Sequence, residues 1–145
     1  MSDVVTTIPE AFAASGYETA AFIGGPYLLP RFGVLQGYEH RDVELPADGK
    51  RRADALTDAA IAWLERVPRE RPVHLLVNYF DPHAPYAPPP GYDDLPGARR
   101  PLRSPDLELV VGLELSPAER SAYVDRYDGE IRFMDFHLGR LLAAL

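Results

Sequence analysis

Residues 75–92, LLVNYFDPHAPYAPPPGY, pass from an apolar run to an acid, a histidine and a series of prolines. Asp81 and His83 flank Pro82, and Tyr86 follows. Pro82 fixes its own φ and pushes Asp81 out of the α region, so the local geometry is stiff. A histidine held this way can donate to an anionic oxygen or transfer a proton near neutral pH. The plainer reading is that Asp81 caps a turn and His83 bonds a backbone carbonyl.

The elements around this junction decide where it stands. Val73–Phe80 is a near-continuous apolar run with β-branched and aromatic content, the pattern of a strand buried on both faces in a parallel sheet. Ligands in such sheets gather at the carboxyl ends of the strands, where Asp81 and His83 fall. Upstream, Thr7-Ile8-Pro9-Glu10 reads as a helix start with a capping box, Ile8 and Phe12 sharing a face and Gly16 closing the helix. A short strand over Tyr17–Ile23 follows, ended by Gly24-Gly25-Pro26.

Residues 26–50 have no period and predict an ordered irregular loop. From Arg52 to Val67, Leu56, Ala60, Trp63, Leu64 and Val67 form a helical stripe, stopped by Pro68. Residues 81–115 predict a proline-rich ordered excursion, anchored by Tyr86, Tyr92 and Leu95 and looser around Arg99–Arg103. Ser116-Pro117-Ala118-Glu119 is a second capping box. Behind it Tyr123, Tyr127, Ile131, Met134, Leu138, Leu141 and Leu145 define one long amphipathic helix, with Gly129 marking close packing. The whole predicts an α/β class: a partial layered domain over 1–145, with a small mostly parallel sheet flanked by helices and a long helix at the end.

Composition narrows the partners. The 145 residues carry a net charge of −7 with no basic run, which argues against non-specific nucleic-acid binding. There is no cysteine, so disulfides and thiolate metal sites are excluded. No apolar run approaches the ~20 residues of a membrane span, and MSDVVTTIPEAF lacks the basic start and apolar core of a signal peptide. The compartment is not readable. Of the other histidines, His74 reads as packed core, while His40 and His137 are given no role. Asp128 and Glu130 read as solvated helix surface, and Tyr123, Tyr127 and Trp63 as core.

Four blocks taken in order resemble the sulfatase family, of the alkaline phosphatase-like superfamily. TTIPEAFAASGYETAAFIGGPYL is similar to its threonine-led helix, turn and short strand, and FGVLQGYEH to the loop that follows. NYFDPHAPYAPPPGY resembles the strand ending in a histidine, a proline and an aromatic, and YDGEIRFMDFHLGRLLAAL the long helix before the downstream metal ligands. The resemblance implies that His83 contacts the sulfate group and assists the leaving group, with Asp81 and Tyr86 beside it, on a small-molecule or carbohydrate sulfate ester.

The sequence also departs from the family. A K-x-H pair is expected near Ile23–Tyr27, where the chain reads IGGPY. The [C/S]-x-P-x-R nucleophile motif is absent, and Asp93-Asp94, the only acidic doublet, follows a proline loop rather than a strand. The expectation is therefore an internal segment that binds no metal itself and is inactive alone, the family's divalent cation, calcium in kind, being held by other parts of the full domain. Two alternatives stay open: a phosphoester or phosphonate hydrolase of the same superfamily, and a non-catalytic binding module.

Overall fold

The computed structural model describes residues 5–104, 112 and 114–145. They form two compact units: the residues up to Phe80 together with Arg140–Leu145, and Asp81–Gly139. Part of the predicted 81–115 excursion, 105–111 and 113, lies outside the described residues, as do 1–4.

The first unit contains α1 (Ile8–Ala14), β1 (Glu18–Ile23), β2 (His40–Asp42), α2 (Ala53–Leu64) and β3 (Val73–Asn78). The capping box at α1 forms as its sequence requires: the Thr7 amide donates to Glu10 Oε2 at 2.7 Å, and the Glu10 amide donates to Thr7 Oγ1 at 3.4 Å. Phe12 stacks on the His74 ring at 4.4 Å, but Ile8, on the same predicted face, is exposed. A helix of seven residues covers the sheet with little more than one turn, and Pro9 is its buried residue.

The three strands run parallel in the order β2-β1-β3. Register pairs Glu18 with Val73 and Ile23 with Asn78 on one side, and Ala20 with His40 on the other. β1 is therefore central and buried from Thr19 to Ile23. Its two faces build two cores. Ala20 and Phe22 join Leu56, Ala60, Trp63 and Leu141, while Ala21 and Ile23 join Leu35 and Tyr38.

Two expectations are corrected here. β3 is half-buried at every position rather than enclosed on both faces. It pairs with β1 alone among the described residues, so its position in the sheet, and not its apolar content, sets its burial. The irregular stretch over 26–50 also contains β2, whose three residues are too few for any period to show. His40 on that strand lies 6.0 Å from Trp63 and 5.3 Å from Phe22, which gives it a packing role.

In the second unit the loop from Asp81 packs against α3 (Pro117–Ala144), a helix of 28 residues whose last turn belongs to the first unit. Its capping box is also present, the Ser116 amide donating to Glu119 Oε2 at 2.8 Å and the Glu119 amide to Ser116 Oγ at 3.3 Å. The buried face differs from the predicted one. Tyr123 and Leu141 are buried, but the residues between them on that face are Glu130, Phe133 and His137. Tyr127 is exposed, and Ile131, Met134 and Leu138 are half-buried. The covered face is chosen by a loop that needs hydrogen-bond partners as well as apolar area, and apolar periodicity does not register that need. Among the described residues no helix is long and apolar enough to cross a membrane.

The two capping glutamates make the helix starts acid-sensitive. Glu10 is held below the usual carboxylate range first by the Thr7 amide, then by Gln36; Glu119 is held there first by the Ser116 amide and hydroxyl, then by Arg103. A depressed folded value means stabilisation that is complete above the unfolded value, about 4.3 for glutamate, and lost as the pH falls through the lower folded value. Helicity followed by circular dichroism should therefore hold from neutral pH to about 4.3 and decline below it. In a Glu10→Gln/Glu119→Gln variant, which has no carboxylate to titrate at either cap, this acid step should shrink. An unchanged step would assign the acid sensitivity to other groups.

Candidate functional site

Asp81 opens the second unit and is buried, at 2% exposure. Two residues on, His83 is exposed, and its ring Nδ1 lies 2.7 Å from the Ala84 carbonyl oxygen. A carbonyl can only accept, so Nδ1 is the nitrogen that carries the proton in this bond. The plainer reading holds for the histidine, which bonds a backbone carbonyl and is exposed; for Asp81 the structure shows burial. The Ala84–Pro85 peptide is cis.

Tyr86 is half-buried and meets Tyr127 of α3 edge-on at 5.4 Å. Burial pushes its phenol up first, and neighbouring Tyr127 and Glu130 add to the effect, so the hydroxyl stays protonated and able to donate. Sequence reading therefore places Asp81, His83 and Tyr86 on one short loop, and the structure keeps them there with different exposures.

What that reading missed is the helix side. The Tyr86–Ala87 peptide unit is gripped at both polar ends: Arg126 Nη1 donates to the Tyr86 carbonyl at 3.4 Å, and the Ala87 amide donates to Glu130 Oε1 at 3.0 Å. Arg126 Nη2 also donates to the Arg100 carbonyl at 3.0 Å. Arg126 and Glu130 are four residues apart and so share a helix face. Glu130 is 3% exposed, against the expectation of a solvated surface residue. The signal was available: Tyr123, Arg126, Glu130, Phe133 and His137 step by three and four, but two of the five are charged. Gly129 does mark close packing. A Cβ there would overlap the Tyr92 carbonyl oxygen and lie 2.9 Å from the Pro88 Cβ.

The acidic doublet is taken by arginines. Asp94 pairs with Arg132 at 2.6 Å and Asp93 with Arg99 at 3.4 Å, and each arginine is the leading cause that holds its carboxyl below the ordinary range. A calcium ion needs several converging oxygens, and a guanidinium beside each carboxylate opposes it. The doublet does not fit a calcium ion.

In the first unit the Gly24-Gly25 pair of the IGGPY stretch has a physical reason to lack side chains. The Gly24 amide donates to the Asn78 carbonyl at 2.9 Å, and a Cβ on Gly25 would run into the Phe80 ring. Tyr27 packs on the same ring at 5.8 Å. A cavity of about 610 Å³ is lined by residues including Ile61, Leu64, Val67, Arg69 and Val73, and by none of Asp81, His83 or Tyr86. The remaining histidines are packed against rings: His74 against Phe12 and Tyr38, His137 against Phe133 at 4.5 Å and Phe136 at 5.1 Å. No protein-family model matches this chain, and no curated protein matches it.

Proposed function

We propose that the chain is part of a sulfatase-like hydrolase of sulfuric esters, in which His83 contacts an oxygen of the ester. The observation that carries this reading is the exposed imidazole with Nδ1 tied to the Ala84 carbonyl, on a loop whose next peptide units are anchored to α3. With Nδ1 so occupied, the charged ring donates to the anion through Nε2. As an attacking group supplied from outside these residues bonds to sulfur and the S–O bond to the leaving group breaks, the electron pair of the broken bond passes to the departing oxygen. The Nε2 proton then moves onto that oxygen. Tyr86, with its phenol kept protonated, is a second donor to the same anion, and buried Asp81 shapes the turn.

The 145 residues contain neither cysteine nor an S-x-P-x-R motif, so the attacking group of this chemistry is not among them. On this reading the chain binds the anion without turning the ester over.

Calorimetric titration with inorganic sulfate tests the reading. Replacing His83 with alanine should weaken binding by about 10- to 150-fold, the worth of one hydrogen bond to a charged group. Equal affinity in the two proteins would remove His83 from the site. Phosphate bound more than about tenfold tighter than sulfate, a difference near 1.4 kcal/mol, would move the reading to a phosphoester hydrolase. Hydrolysis of a fluorogenic aryl sulfate by the chain alone would contradict its catalytic incompleteness.

A further inference from the structure

We propose that Glu130 and Arg126 are positioning residues that set the presentation of His83 by clamping the Tyr86–Ala87 peptide unit from both sides. The role rests on the oxyanion reading of His83. It starts from a shortage in the loop itself. Prolines stand at 82, 85, 88, 89 and 90, so few N–H groups remain between Asp81 and Gly91 with which the loop can fix its own backbone.

Ala87 is one of those few donors, and its partner is a buried carboxylate on α3 rather than a neighbour in the loop. The carbonyl of the same peptide unit accepts from Arg126. A peptide unit is planar, so holding its N–H and its C=O from one helix face fixes the orientation of the plane. The segment from His83 to Tyr86 is then tied at one end by Pro82 and at the other by the clamp. A bond from a carboxylate to an amide is also stronger than its neutral equivalent. Gly129, between the two clamp residues, lets the Pro88–Tyr92 stretch lie against the helix.

Three readouts on the whole chain test the clamp: amide exchange at Ala87, the His83 ring nitrogen shifts, and sulfate affinity by calorimetry. In Glu130→Ala, exchange at Ala87 should rise by about tenfold or more, as an opened local hydrogen bond requires. The His83 ring signals should change before any sulfate is added. Sulfate should bind about 10- to 100-fold more weakly, as expected for a displaced contact group. Glu130→Gln keeps an acceptor oxygen for Ala87 and should restore all three to within about threefold of the original.

Wild-type sulfate affinity in Glu130→Ala would overturn the positioning role even if exchange rises. Equal losses in the glutamine and alanine variants would overturn it as well, because the acceptor would then not be what matters. If Glu130→Ala fails to fold, Arg126→Met, which keeps the apolar stem, reads the same peptide unit from its carbonyl side. Undiminished affinity there overturns the clamp. An absence of sulfate binding in the unmodified chain would instead overturn the oxyanion reading, and the role with it, while the sulfate-free exchange data would still show whether the peptide is held.

Discussion

Replacing Phe22 with alanine should destabilise the first unit by about 3–5 kcal/mol, toward the upper end for a buried aromatic. Phe22 is 1% exposed at the centre of β1, the middle strand. Its ring meets Trp63 edge-on at 6.2 Å and His40 at 5.3 Å. The other buried residues of this cluster include Ala20 and Ala60, which have no length with which to fill the space left behind. Trp63 is the chain's single tryptophan, so its fluorescence during urea unfolding reports on this core directly. A loss below about 1 kcal/mol would show that the site collapses readily and that Phe22 is not the centre of the packing.

Gly129→Val should cost the second unit about 2–3 kcal/mol. Helix propensity alone favours the change, since glycine is among the poorest helix formers, about 1 kcal/mol behind alanine. Steric overlap opposes it. The first added carbon meets the Tyr92 carbonyl oxygen and the Pro88 ring, neither of which can swing aside like the end of a flexible side chain. Valine adds two methyl groups to that overlap. Gly129→Ala gains the full propensity term and should lose less, which separates the two effects. Thermal unfolding of both variants, with amide exchange at Ala87, reads the outcome. A valine variant as stable as the original, with Ala87 still protected, would mean that the loop does not lie against this turn of α3.

The local features of the fold were the most legible in the sequence. Both capping boxes depend on residues three apart, and both form. The helix stripe from Leu56 to Trp63 is likewise a local pattern and is buried as read. Burial that depends on distant neighbours was not legible. β3 reads as the most enclosed strand because it is the most apolar, yet the alanine-rich β1 takes the central place. α3 shows the same limit, because Glu130 and His137 are buried where an apolar stripe predicts otherwise.

The candidate site divides along the same line. Asp81, His83 and Tyr86 stand out because their types and the intervening prolines are contiguous. Arg126 and Glu130, about forty residues further on, carry charges that ordinarily signal solvent. Their role becomes visible only when a loop short of N–H donors is laid on the helix.

On the proposed function, His83 grips a tetrahedral oxyanion through Nε2. The sulfate titration followed at the ring nitrogens of the four histidines tests it most directly. His83 Nε2 should shift along a saturable curve, while His40, His74 and His137, packed against aromatic rings, should stay in place. A His83 signal that does not move, or four histidines that drift together with salt, would contradict it.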